Sequence, residues 1–281
     1  MKGGIETGDS ADDVRVVEAE PGGRAIADVA ALFDVSPDES WRAVPGRTTF
    51  PWPQPDARFV VKRIHGDVGR ERLYDRLHGL AERTPAGREF DALTGLASAG
   101  FPVPAPVLHA HSRRRGLSLL AMELVPHRAS LRQAILADGD PPLRARTEAA
   151  RAAALAARLH CAGWYHRDLY LQHLVLRDQD GALCLLDLGR ARRERRPRRR
   201  WFEKDVAALV ASAPPAVRDA FARALLDAYF ERAELARRAQ ASFERAVRRR
   251  AARIERHVPK EVDPDTREGT ASERDVDGRY L

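Results

Sequence analysis

The sequence is poor in cysteine and lacks the spacings that turn cysteine and histidine into metal ligands. Cys161 and Cys184 are its two cysteines in 281 residues. Both lie inside apolar patterned segments, where buried, reduced thiols and a cytosolic compartment are expected. No C-x-x-C or H-E-x-x-H spacing occurs, so His160, Cys161, His166 and His173 do not read as a zinc site. Long apolar runs are missing too. None approaches the roughly 20 residues of a spanning helix, and the polar, acidic N-terminal stretch does not read as a signal peptide. Glycine is scarce where a phosphate cradle would need it: around the first strands only Gly46 is present, with no G-x-G-x-x-G. Internal repeats are absent.

What is present is ordinary for a folded chain. Hydrophobic residues make up 44% and charged residues 32%, which excludes disorder of the whole. The length suffices for one large or two modest lobes with a real core. A formal charge of +7 and a pI near 9.9 point to anionic partners: nucleotide, nucleic acid or an acidic membrane surface.

Residues 1–24 are rich in Gly, Asp, Glu and Ser and are expected to be a disordered tail. A short helix is predicted over 25–33. Strand pattern follows at Arg47-Thr48-Thr49-Phe50 and at Phe59-Val60-Val61-Lys62-Arg63-Ile64, across a Pro-rich turn. Lys62 interrupts an apolar run and can point inward to neutralise phosphates, provided a carboxylate holds it. Pro85 opens a helix whose Phe90, Leu93, Leu96 and Ala97 form one inward stripe. Glu89 lies at the edge of that stripe and is the predicted partner of Lys62, with Asp91 as the fallback. Strands over 107–111 and 117–124 come next; His109 and His111 are expected at the surface. Residues 122–126 end this sheet, and backbone groups at Glu123 and Val125 are where an adenine would be met.

Ser130 is placed to cap a short helix to Leu136, and 143–162 forms the clearest helix in the chain, stopped by Gly163. Residues 164–192 then give a turn, a strand, a reversal at Asp180-Gly181, a second apolar strand and another turn. Asp168 precedes the first strand and Asp187 follows the second, 19 residues on. A hairpin fixes both of its ends, and phosphotransfer needs two such acids, one for the acceptor hydroxyl and one for the nucleotide's metal. Arginines crowd 190–200. Helices are predicted near 201–209, 217–228 and 235–258, and residues 259–281 read as a second disordered tail.

In that order, Phe59-Val60-Val61-Lys62-Arg63, Arg88-Glu89-Phe90, Gly163-Trp164-Tyr165-His166-Arg167-Asp168-Leu169-Tyr170, Leu186-Asp187-Leu188-Gly189-Arg190 and Lys204-Asp205-Val206-Ala207-Ala208-Leu209 resemble the lipopolysaccharide kinase (Kdo/WaaP) family over about 41–229. The resemblance implies an α+β, two-lobed protein-kinase-like fold. It places a β-rich, nucleotide-binding N-lobe at 25–125 and a helical C-lobe with the catalytic loop at 126–258. It also implies phosphorylation of a lipopolysaccharide-core sugar, a heptose or Kdo, by ATP with Mg²⁺ at the cytoplasmic face of the inner membrane.

Asp168 would be the catalytic base, Lys62 the phosphate-binding lysine, Glu89 its partner, and Asp187 the metal ligand. His173 stands at the second metal position, where a nitrogen donor suits Mg²⁺ poorly. Asp205 would brace the catalytic loop. The arginine run would face an anionic glycolipid or the inner-membrane surface, and no nucleic-acid partner is expected. Two other readings stay open: a kinase-fold phosphotransferase acting on another small molecule or a protein, and a non-catalytic basic module that binds polyanions.

Overall fold

The computed structural model of the chain describes residues 14–18, 26, 28–44, 46–66, 84–112, 114–137, 139–196, 198–233 and 236–257. Contacts divide the chain into two compact units, residues 1–125 and 126–281.

The first unit is built on an antiparallel sheet of six strands. They are β1 Val14–Glu18, β2 Arg42–Val44, β3 Arg47–Trp52, β4 Phe59–His65, β5 Pro106–Ser112 and β6 Leu117–Glu123, arranged β1-β5-β6-β4-β3-β2. Successive strand residues face opposite ways, and β4 uses both faces. Phe59 and Val61 join Phe50, Leu108, Leu119 and Ala121 in an apolar cluster that also takes Leu32 and Phe33. Val60 and Lys62 point to the other face, where helix α2 (Pro85–Ser98) covers β4, β5 and β6. Thr84 caps α2 by accepting from the Gly87 amide at 3.1 Å, with Pro85 in the first turn, where its missing N–H costs nothing.

Two expectations are corrected here. Val14–Glu18, assigned above to a tail, is an edge strand paired with β5. The helix predicted over 25–33 is shorter and later: α1 spans Ala31–Asp34. His109 is also drawn in from the surface. Its ring lies 4.9 Å from that of Phe90, and burial lowers its pKa, with Asp91 opposing that shift.

The second unit is mostly helical. Strand β7 (His127–Ser130) leads into α3 (Leu131–Leu136), where Ser130 and Gln133 close a capping box. Helix α4 (Pro141–Cys161) is capped by Asp140 and buries an alanine-rich stripe against α6 (Arg218–Arg232). Small side chains let the two backbones approach closely. α5 (Arg199–Ser212) packs in the same way against α7 (Arg237–His257) through Phe243, Val247 and Ala251.

Two small sheets carry the loops of interest. Strands β9 (Leu174–Arg177) and β10 (Leu183–Leu185) form the predicted hairpin, with β7 beside β9. Strand β8 (Trp164–Tyr165) pairs with β11 (Arg192–Arg193). Gly163, between α4 and β8, has φ +78°, and a Cβ there would meet the Glu194 carbonyl oxygen at 2.7 Å. No other residue fits that corner.

The cysteines divide. Cys184 is buried in β10, and burial pushes its thiol up to about 12. Cys161, expected to be buried, is exposed, because it sits about 100° round the helix from buried His160. Among the described residues no helix is long and apolar enough to cross a membrane. Residues 1–13, 19–24 and 259–281 of the two predicted tails lie outside the described residues.

Candidate active site

Within the first unit the structure brings Lys62 and Glu89 together. The Nζ–Oε1 distance is 2.6 Å, and the residues are 4% and 1% exposed. Strand alternation turns Lys62 towards α2, and the first turns of α2 place Glu89 opposite it. Removing two charges from water costs several kcal/mol each unless they pair closely. The salt bridge is what lets this lysine stay inside. The predicted fallback, Asp91, is exposed. At the end of β6, the Glu123 amide donates to the Ala105 carbonyl at 2.8 Å, and the Leu124 amide to that of Arg58 at 2.9 Å. Val125, the other predicted adenine-contacting position, is the last residue of this unit.

In the second unit the loop that carries Asp168 is held from beneath by Asp205 on α5, which is fully buried. Its Oδ2 accepts from the His166 amide and its Oδ1 from the Arg167 amide, both at 2.6 Å. This grip keeps Arg167 in the left-handed region at φ 75°, a conformation that costs a non-glycine residue roughly 1–2 kcal/mol. A third partner is His160, whose Nε2 lies 3.3 Å from Asp205 Oδ2, with its Nδ1 2.7 Å from the Tyr229 hydroxyl. Burial drives the Tyr229 pKa far up. The Asp205 carboxylate can only accept, so Nε2 carries the proton that faces it, and in the neutral ring Nδ1 accepts from the Tyr229 hydroxyl.

His166, wholly buried, ties the two predicted acids to one frame. Its Nε2 donates to the Leu186 carbonyl at 3.0 Å, and its Nδ1 accepts from the Asp168 amide at 3.3 Å. Asp168 is thereby fixed to the residue that precedes Asp187. Asp187 itself turns at φ 55°, in the left-handed region. Its Oδ2 lies 3.8 Å from Nε2 of His173. The other nitrogen of that ring, Nδ1, is 2.8 Å from the Asp168 carbonyl oxygen and donates to it. In the neutral ring Nε2 then presents its lone pair on the Asp187 side.

Magnesium usually binds through one or two protein carboxylates, with substrate phosphates and water completing the shell. The Asp187 carboxylate, about a quarter exposed, fits that pattern alone. His173 is near enough to touch the same ion but offers nitrogen. Among the described residues no group of three or more His, Cys, Asp or Glu could hold a metal.

Two residues not singled out as site residues converge on Asp168. Arg190 Nη1 lies 3.0 Å from each of its carboxylate oxygens, and Lys204 Nζ lies 3.2 Å from Oδ1. Lys204 also donates to the Arg167 carbonyl. The signal was in the sequence, since Arg190 follows Asp187 by three residues and Lys204 precedes Asp205. Nothing local says that both reach back across 22 and 36 residues to one carboxylate.

The lipopolysaccharide kinase (Kdo/WaaP) family model matches residues 49–229, well over half of the chain. No curated protein matches it. Among solved structures, the chain is similar to the PknI kinase domain of Mycobacterium tuberculosis, in a double-mutant form. The TM-score is 0.41 at 18% identity, covering 76% of this chain and 94% of that one.

Proposed function

Since the chain belongs to the lipopolysaccharide kinase (Kdo/WaaP) family, a family of phosphotransferases with a protein-kinase-like α+β fold, we propose that it moves the terminal phosphoryl group of ATP to a sugar hydroxyl of the lipopolysaccharide core, a heptose or Kdo. The observation that carries the phosphotransfer reading is the buried Lys62–Glu89 pair at 2.6 Å. Hydrophobic residues of similar size would stabilise such a position as well or better, so a lysine kept there has a use for its charge.

In this reading Lys62, steadied by Glu89, takes the nucleotide phosphates. Asp168 orients the acceptor hydroxyl and accepts its proton, and backbone groups at Glu123 and Val125 meet the adenine. Asp187 would hold Mg²⁺, with His173 as a second candidate ligand; the ion would neutralise phosphate charge.

Mg-ATP is expected to raise the melting temperature of the wild type, and Lys62→Ala to abolish that rise. Radiolabelled ATP offered with glycolipid, aminoglycoside and protein acceptors should label the glycolipid. Label on a small molecule or protein alone would replace the sugar assignment, and no Mg-ATP stabilisation of the wild type would remove the kinase reading.

A peripheral contact with the inner-membrane surface is part of the proposal. Arg238, Arg245, Arg249 and Arg256 are exposed on α7. Spaced seven, four and seven apart, they fall within about 40° of one line along the helix, roughly 27 Å long. Beside them, Arg199 at the end of the 190–200 arginine run donates to Ser242 Oγ at 2.8 Å. The two basic segments adjoin, and each basic residue near an anionic bilayer contributes about 1 kcal/mol. Vesicles with 30% phosphatidylglycerol should therefore bind the protein at low salt, and changing these four arginines to Gln should weaken binding at least tenfold. Equal binding to neutral phosphatidylcholine vesicles would refute the contact.

A further inference from the structure

Lys204 and Arg190 are more than is needed to hold Asp168 in place. Asp205 already fixes the loop through two backbone amides at 2.6 Å, and His166 fixes Asp168 through its own amide. The carboxylate nevertheless takes both oxygens' worth of guanidinium contact and an ammonium. We infer that Lys204 and Arg190 are the phosphoryl-receiving cations of this site, which bind the group in transit from nucleotide to acceptor; the inference rests on the phosphotransfer reading above.

Three observations support it. First, the two cations carry one more positive charge than the carboxylate they hold. The other acid acting on Lys204 is Asp205, which is fully buried and already bound to the amides of His166 and Arg167. Second, Lys204 is drawn partly out of water. Burial is the main cause lowering its pKa and Arg190 adds to it, while Asp168 and Asp205 oppose. A half-desolvated ammonium attracts an anion more strongly than a hydrated one. Third, both groups keep a route outward, with side-chain exposures of 24% and 45%.

The arrangement also couples the two halves of the reaction. As the acceptor oxygen bonds to phosphorus, the bond from phosphorus to the bridging oxygen of ADP breaks and that oxygen keeps the electron pair. The acceptor proton passes to Asp168. Protonation removes the negative charge that Lys204 and Arg190 were holding. Lys204 and Arg190 can then turn towards the phosphoryl oxygens, so their attraction grows as the transfer proceeds. Interactions that strengthen towards the transition state are the ones that raise turnover.

Aluminium fluoride with Mg-ADP mimics a phosphoryl group in flight and needs no identified acceptor. Isothermal titration calorimetry of the whole chain should show Mg-ADP binding at least ~10-fold tighter with aluminium fluoride than without it, in the range typical of transition-state mimics. Lys204→Met should bring that ratio close to one and Arg190→Gln should reduce it, whereas Lys204→Arg should keep most of it. A purely structural brace would not change the ratio. If Lys204→Met does not fold, Arg190→Gln carries the same test, because its side chain is half exposed. A ratio near one in the wild type, or an unchanged ratio in both variants, overturns this inference alone. Failure of the wild type to bind Mg-ADP at all overturns the phosphotransfer reading with it.

Discussion

Asp168→Asn should lower phosphotransfer about 10²–10⁴-fold while the protein melts close to the wild-type temperature. The amide is nearly isosteric, so the loop keeps its shape: the bonds that seat it run from Asp205 to the amides of His166 and Arg167, and from the Asp168 amide to His166. What changes is the acceptor chemistry. An amide cannot take the hydroxyl proton, and its NH₂ would point donors at Arg190 or Lys204, where two acceptor oxygens stood. Steady-state turnover against an identified acceptor, together with a thermal melt, separates these effects. Turnover within threefold of wild type would remove Asp168 from the role of base. An activity loss matched by a large fall in melting temperature would make it a structural residue.

How far the sequence led depends on how local each determinant is. Lys62 and Glu89 could be paired in advance because each obeys a short-range rule: alternation along a strand and the edge of a helical stripe. The hairpin carrying Asp168 and Asp187 was legible for the same reason, with Asp180-Gly181 marking its turn and Gly181 adopting φ +63°.

Strand β1 was missed because an edge strand is specified by backbone pairing to β5, and its five residues sit among glycines and acids that read as a tail. The left-handed turns at Arg167 and Asp187 were invisible because neither is glycine. The loop's own tethers compensate for their cost, and those come from Asp205 on α5 and from Leu186, which follows β10. The Arg190–Asp168–Lys204 cluster and the Asp205–His160–Tyr229 chain were hidden for a related reason. Each joins residues 22 to 69 positions apart, a separation closed by the packing of α4, α5 and α6 and by no local preference.

Asp205→Ala should be strongly destabilising, costing ~3–5 kcal/mol. Three donors lose their acceptor at once: the His166 amide, the Arg167 amide and Nε2 of His160. Each buried polar group left unsatisfied costs about 1–3 kcal/mol. Water can relieve part of this at Arg167, which is only half-buried, but not at His166, which has no exposure. Arg167 would also lose the bond that pays for its positive φ, and relaxation of that residue would carry Asp168 away from Arg190 and Lys204. Asp205→Asn retains one acceptor oxygen and should fall about midway. Against a typical total of roughly 5–15 kcal/mol, the alanine variant should lower the urea midpoint sharply and lose activity with it. If Asp205→Ala costs under ~1 kcal/mol, other contacts hold the loop, and its seating would have to be reassigned to Lys204 and His166.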